Sequence, residues 1–537
     1  MFEGTEKRQL LLQGTFILSM AALMTKILSA VYRIPFQNIV GDIGFYIYQQ
    51  VYPFYGIAIS LATYGFPVII SKLYAELLSS GEKQKAERML FPTLIGIFLL
   101  CFFCFFCIFY FSSSIATTMG DANLKPMISL VSFSFLLVPF ISVLRGYFQG
   151  KGMMVPTAMS QIGEQFIRVT FILMTAVLFV NAGESLYRVG QGAILSSIFG
   201  GVFAIFMLTC FFLFNNKKNI KVAFLINLKE SLPIIKTVMI QGLAICVSSL
   251  TLVLFQMCDA FQIFSVLKNL GIPIEEAQQI KGIYDRGQPL LQLGLVLATS
   301  LSLSIVPIIA SMKQKGKDIT SYIRLCIQIS ITVGAAATVG LILIMNEVNT
   351  MLFQNDDGSY VLRILMIAIL LASFSMSVSA MLQGLGYVYF PAFVVLTGLV
   401  IKVILNQLLI RHWGVTGAAL ATVIALSFVS FFLYWKLHKN VSIKLLHREF
   451  ITKLIFSLCT MILVVLFIQF TGSFLKESIN EYRFYASIFS LLASLLGGVV
   501  FLISLLCSGI FTREALEMIP FGKKMYLFFN RKNEVKT

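Results

Sequence analysis

The chain has 537 residues, of which 58% are hydrophobic and only 12% charged, against roughly 25% charged in a soluble domain. This composition excludes a water-soluble enzyme or binding module and leaves no stretch for an aqueous domain of ordinary size. The formal net charge of +17 would suit nucleic acid, but its placement along the chain excludes that partner, as shown below.

Apolar runs long enough to cross a bilayer, at about 20 residues each, predict an all-α polytopic membrane protein of about fourteen spans. They begin near residues 13, 45, 90, 126, 156, 190, 234, 285, 322, 361, 391, 413, 452 and 484. The first run, Leu10 to Val31, carries Lys26 and continues into Tyr32-Arg33-Ile34-Pro35, so it reads as a retained helix and not a cleaved signal peptide. Span 2 holds Pro53 and Pro67. Cys101, Cys104 and Cys107 in span 3 imitate a metal pattern but lack a fourth ligand, so they read as packed thiols and no metal site is expected. Gly146 to Lys151 at the end of span 4 is one residue short of a phosphate loop and reads as a turn. Glu164 and Arg168 in span 5 are four residues apart and share a helix face. Span 7 carries Asp259. Span 8 opens with Asp285, Arg286 and Pro289 and closes near Pro307, and span 11 carries Lys402. Arg411-His412-Trp413-Gly414 is the tight break between spans 11 and 12.

An even number of spans puts both termini on one face. That face and its loops hold 28 of the 41 basic residues, the opposite loops hold 8, and five lie within spans. The positive-inside rule therefore predicts cytoplasmic termini, and the basic excess reads as a topology signal with an attraction for anionic lipid.

An internal repeat organises the chain. Gln49-Gln50-Val51-Tyr52-Pro53, Ala62-Thr63 and Pro67 to Ser71 correspond to Arg286-Gly287-Gln288-Pro289, Ala298-Thr299 and Pro307 to Ser311. Gln149-Gly150-Lys151-Gly152 with Pro156 corresponds to Gln383-Gly384-Leu385-Gly386 with Pro391. Spans 1 to 6 thus match spans 7 to 12 as parallel repeats. The expected units are an N-lobe over 1–215, a C-lobe over 216–440, and spans 13 and 14 with a tail over 441–537. Such a pair of lobes suggests a transporter whose site lies between them.

Charge inside a span costs roughly 2.5 to 3.5 kcal/mol, so intramembrane ionisable residues are functional candidates. Lys26, Arg33, Arg168, Arg286 and Lys402 are the candidates for a cationic cavity, which would suit a pyrophosphate because an arginine fork can hold phosphate oxygens at two points. Glu164 and Asp285 are candidates for compensating Arg168 and Arg286, and Asp259 for a proton or sodium site. The structural alternatives are snorkelling of Arg33 and Arg286 to an interface and a packing pair in span 5. Pro53, Pro67, Pro289 and Pro307 are hinge candidates, with mere tolerance of proline in membrane helices as the alternative. No catalytic constellation can be built from the three histidines or from paired carboxylates, so no enzyme and no cofactor are expected.

Several segments resemble the MurJ-like and stage V sporulation protein B-like lipid flippases of the multidrug/oligosaccharidyl-lipid/polysaccharide exporter superfamily. They are Thr25-Lys26-Ile27-Leu28-Ser29-Ala30-Val31-Tyr32-Arg33, Gly41-Asp42-Ile43-Gly44, Tyr64 to Lys72, and Tyr284-Asp285-Arg286 with Pro289 and Pro307. The resemblance spans nearly the whole chain. It implies two six-helix lobes around a cationic cavity in a bacterial cytoplasmic membrane. The implied partners are membrane lipids and an undecaprenyl-pyrophosphate-linked cell-wall precursor, lipid II first among them, which a functional monomer would move to the outer leaflet. It also implies a lipid-tail groove at spans 13 and 14, and a cavity role most directly for Arg286, then for Lys26 and Arg33. Membrane potential or a monovalent cation is the expected driving force. The sequence departs from the family in having Lys26 where arginine is common and in lacking an arginine in mid-span 2. A polysaccharide-unit flippase, a cation-coupled drug exporter and a membrane enzyme or scaffold for envelope assembly are the alternatives.

Overall fold

The computed structural model describes residues 2–215, 228–296, 309, 312, 319–441, 447–476 and 482–510. Pro307 and the Ala298-Thr299 half of the repeat lie outside the described residues.

Every long element described is a helix. The N-terminal half contains α1 (Phe2–Val31), α2 (Arg33–Ser60), a π-helical turn (Leu61–Gly65), α3 (Phe66–Ser79), α4 (Lys83–Arg88), α5 (Leu90–Tyr110), α6 (Ser112–Thr118), α7 (Lys125–Gly150), α8 (Met154–Asn181) and α9 (Leu186–Asn215). There follow α10 (Leu228–Ser249), α11 (Thr251–Asn269), α12 (Ile274–Asp285), α13 (Gly287–Gly294), α14 (Thr320–Leu343), α15 (Met345–Phe353), α16 (Ser359–Gly384), α17 (Tyr389–Asn440), α18 (Arg448–Lys476) and α19 (Tyr482–Cys507).

Among the described residues, twelve helical stretches are long and apolar enough to cross a membrane. Two of them, 60 and 52 residues long, far exceed the roughly 20 residues of one crossing. Each reverses at a glycine in the left-handed region, Gly41 (φ 68°) and Gly414 (φ 54°), a conformation that a side chain disfavours. Bent spans also occur: α10 and α11 meet at Leu250 with no loop between them, and α2 passes into α3 through the π-helical turn. Pro67 sits in the first turn of α3. Lacking an N–H, it cannot complete the α-helical bond to the carbonyl of residue 63, which accounts for a change of helix type there. Pro53, by contrast, lies within α2 without breaking it, and Pro289 lies in the first turn of α13.

Burial follows the rules of lipid and not of water. Leu99, Phe102, Phe103 and Phe106 of α5 are exposed, while Arg33, Arg145, Arg168, Arg286 and Lys402 are buried. Hydrocarbon is as apolar as these side chains, so helices associate through small residues and polar contacts. At Gly200 a Cβ would meet the Glu164 carbonyl at 2.7 Å, so glycine lets α9 ride directly on α8.

Helices α5, α7, α8 and α9 pack together as an N-lobe, while α11, α14, α16 and α17 pack as a C-lobe with α18 and α19 against α14 and α15. Helix α10 packs on α3 and α5 as well as on α17 and so straddles the seam. At one face of the bundle, polar links join the lobes: Gln278 donates to Tyr187 (3.1 Å), and Lys268 to the Gly120 carbonyl (2.9 Å). We call this the far face; the loops at 80–82, 151–153 and 385–388 belong to the opposite, near face.

Candidate functional site

A cavity of about 190 Å³ lies on the seam between the lobes. Its N-lobe wall carries all of its charge, in Lys26, Arg145, Glu164 and Arg168, with Tyr52 and Tyr64 between them. Its C-lobe wall is uncharged and mixed, with Ser249, Thr251, Gln292 and Ser375 set among Leu252, Val253, Leu295, Ala372 and Met376. Three cations against one carboxylate leave the cavity with a net charge of +2.

Each cation is held differently. The Lys26 ammonium stands 5.9 Å from the centre of the Tyr64 ring and forms no ion pair among the described residues. Arg168 is fixed by neutral groups: Nη2 donates to the hydroxyls of Tyr32 (3.0 Å) and Tyr48 (2.8 Å), and Nε to Ser197 Oγ (3.0 Å). Its guanidinium also lies 4.3 Å from the Tyr55 ring centre. Hydroxyls and rings orient the fork without cancelling its charge. Arg145, in contrast, is neutralised: Nη2 meets Glu164 Oε2 at 2.7 Å, Nε donates to Ser160 Oγ (3.1 Å) and Nη1 to Thr63 Oγ1 (3.0 Å).

This arrangement corrects the expected pairing within span 5. Glu164 binds Arg145 across helices and not Arg168 on its own helix, because Tyr32 and Tyr48 draw Arg168 to the other side. With a turn expected at Gly146 to Lys151, Arg145 is not among the intramembrane candidates of the sequence; the structure continues α7 to Gly150 and buries the side chain. A usable signal was present: Val138, Ser142 and Arg145 recur at helical spacing and are all buried on one face of α7.

Three expected cavity residues lie elsewhere. Arg286 belongs to the far face, where it pairs with Asp42 (Nη2 to Oδ2, 2.6 Å) and donates to Asn355 Oδ1 (2.6 Å). Its expected partner Asp285 is instead taken by Lys281, one turn earlier on α12, at 2.5 Å. Arg33 is fully buried, makes no ion pair and no hydrogen bond of sound geometry among the described residues, and lies 4.1 Å from the centre of the Tyr52 ring. Since Tyr52 lines the cavity, Arg33 stands behind its wall.

Lys402 is likewise walled off, inside the C-lobe. Its ammonium meets Asp259 Oδ1 (2.7 Å), Thr422 Oγ1 (2.6 Å), Asn406 Oδ1 (3.2 Å) and the Ala418 carbonyl (3.2 Å). Asp259 is therefore not a lone acid: it also accepts from Tyr284 (3.0 Å) and Asn406 (2.9 Å), and the cation it holds is the chain's own.

What the arrangement can do is hold an anion. Lys26 and Arg168 present two uncancelled charges to one enclosed space, with neutral hydroxyl and amide groups facing them across the seam. Among the described residues no group of three or more His, Cys, Asp and Glu side chains is placed to hold a metal ion.

Residues 11–313 match the polysaccharide biosynthesis protein family. The uncharacterized membrane protein YabM of Bacillus subtilis is 41% identical, covering 98% of each chain. The lipid II flippase MurJ of Bacillus subtilis is 27% identical, covering 92% of this chain and 94% of its own. A solved structure of lipid II flippase MurJ in an inward closed conformation superimposes with a TM-score of 0.59 at 15% identity, covering 92% of this chain and 97% of that one, a likeness of fold. The chain thus belongs to the polysaccharide biosynthesis protein family and is a lipid flippase-like, multi-pass membrane member of the multidrug/oligosaccharidyl-lipid/polysaccharide exporter superfamily.

Proposed function

We propose that the protein moves an undecaprenyl-pyrophosphate-linked cell-wall precursor, of the lipid II class, from the cytoplasmic to the outer leaflet of a bacterial cytoplasmic membrane by alternating access. The observation that carries this reading is the cavity itself. Lys26 and Arg168 line it with no carboxylate paired to either among the described residues, on a wall that faces an uncharged surface of the other lobe in which four polar side chains stand among apolar ones. A pyrophosphate diester brings two negative charges to a net +2 site, and the Ser249, Thr251, Gln292 and Ser375 wall suits the hydroxyls of a sugar. A charged head group cannot cross hydrocarbon unaided, whereas the polyprenyl tail can remain in lipid. The protein then acts as a carrier and not as an enzyme.

About 190 Å³ is well short of the roughly 300–1,000 Å³ of small-molecule sites, so the lobes must part to admit a head group. With the termini cytoplasmic, as the basic loops favour, the Asp42–Arg286 face is the external one and is latched in this state. The inward drive on an empty, positively charged cavity would come from the membrane potential, up to about 2.3 kcal/mol per charge per 100 mV, and the carrier works as a monomer. A cation-coupled drug exporter is the weaker reading, because a cation cargo would face Lys26 and Arg168. The test is flipping of a fluorescent polyprenyl-pyrophosphate disaccharide in vesicles containing the purified protein. Accelerated exposure of the head group is expected, and no acceleration with any polyprenyl-pyrophosphate sugar would refute the proposal.

A further inference from the structure

Arg145 belongs to two structures at once. Through Nη2 it lines the cavity beside Glu164, and through Nη1 it reaches the π-helical turn of span 2, donating to Thr63 Oγ1 at 3.0 Å and lying 3.5 Å from the Ala62 carbonyl. Ser142, one turn earlier on α7, approaches the Leu61 carbonyl at 3.5 Å. The π-helical turn is thus tied down from α7, mainly by a guanidinium whose other hand holds the cavity's carboxylate.

That turn is also where span 2 meets the seam. A Cβ on Gly65 would stand 3.0 Å from Cys246 Cβ and 3.1 Å from the Gly242 carbonyl of α10. Ser248 of α10 in turn accepts from Gln383 of α16, in the C-lobe, at 2.7 Å. A continuous line of contacts therefore runs from the cavity through Arg145 and the π-helical turn to α10 and the other lobe. Prolines and π-helical turns are where helices kink, and such turns recur at functional sites.

We propose that Arg145 is the positioning residue that couples cargo to movement: a bound pyrophosphate competes with Glu164 for its guanidinium, draws it off Thr63 and Ala62, and so frees the Leu61–Gly65 turn to shift against α10. The inference rests on the anionic cargo proposed above and adds the route by which its arrival is felt at the seam. Electrostatics supports the competition. Glu164 is the one anion in the cavity, and a second anion brought near it both repels it and offers Arg145 a two-point partner. Lys26 and Arg168 hold the cargo and Arg145 reports it.

The experiment uses the full chain in lipid nanodiscs with inorganic pyrophosphate as the probe, reading binding by calorimetry and amide hydrogen exchange in peptides covering 61–66. In the unmodified protein saturating pyrophosphate is expected to speed exchange at 61–66 at least threefold. The double variant Arg145→Gln with Glu164→Gln removes both partners together, so no charge is stranded. It is expected to bind pyrophosphate more weakly, through Lys26 and Arg168 without the Arg145 contact, and to show no exchange response even at saturation. Thr63→Val, a gentler change, is expected to reduce the response by half or more. Binding without a change in exchange at 61–66, or an undiminished response in both variants, overturns this inference alone. Failure of the unmodified protein to bind pyrophosphate overturns both the inference and the cargo on which it rests.

Discussion

Arg286 of the C-lobe grips Asp42 of the N-lobe at two points, Nε to Oδ1 at 2.9 Å and Nη2 to Oδ2 at 2.6 Å, so an ion pair bridging the two lobes latches the far face. Asp42 immediately follows the reversal at Gly41, and Arg286 immediately precedes α13. The latch therefore joins the chain reversal at Gly41 to the one-residue helical junction between α12 and α13.

Removing one partner of a buried pair strands the other, at a cost of about 3–5 kcal/mol. Asp42→Ala is therefore expected to unlatch the far face. In a cysteine-free background carrying Ser29→Cys in the cavity wall, labelling by an impermeant maleimide from outside should quicken at least fivefold. An unchanged rate would remove the latch role.

Gly282 lies where α12 crosses α2: a Cβ there would stand 2.1 Å from the Asp42 carbonyl, and backbone cannot yield that much. Gly282→Ala is expected to wedge the same seam open, raising external labelling of Ser29→Cys and costing about 1–3 kcal/mol of stability. Thermal unfolding in detergent would report the second effect.

Lys402 and Asp259 are each other's charge partner in the closed interior of the C-lobe. Lys402→Met should lower stability by about 3–5 kcal/mol, and Lys402→Met with Asp259→Asn should recover most of it, since a buried pair removed together leaves no uncompensated ion. The readout is the unfolding midpoint of the two variants side by side. A double variant no better than the single one would contradict the pairing.

Lys26 faces the cavity and Arg33 stands behind Tyr52. Lys26→Gln is expected to weaken binding of undecaprenyl pyrophosphate at least tenfold, about 1.4 kcal/mol, and Arg33→Gln by less than threefold. Equal losses at the two positions would show that the wall formed by Tyr52 opens to cargo.

Much of the fold was legible in the sequence because hydrocarbon enforces it. The run of apolar residues had to be helical, since no water is available to satisfy a bare backbone, and the expected starts near 90, 156, 190, 322, 361 and 484 lie within four residues of helix starts. Lys26 and Arg168 were legible as cavity residues because charge in a span has few places to go. The short elements α6, α12 and α15 were not expected, since they lie between spans where hydropathy carries little information. Arg145 escaped because a glycine-rich stretch follows it, and only helix continuation to Gly150 takes it into the membrane.

Sequence by itself determined that this chain is a helical membrane protein with a few charges that must be kept from lipid. The cost of a bare peptide group or a lone charge in hydrocarbon is large and local, so it can be read residue by residue. Only the tertiary structure decided which charges meet. Arg168 turns to Tyr32 and Tyr48, Glu164 to Arg145, Asp259 to Lys402, and Arg286 to Asp42. Three of these four partnerships cross between helices over 100 residues apart or between neighbouring helices in a lobe, and the fourth joins the lobes. Coulomb attraction and hydrogen bonding act over a few ångströms of space, a distance that spacing along the chain does not encode.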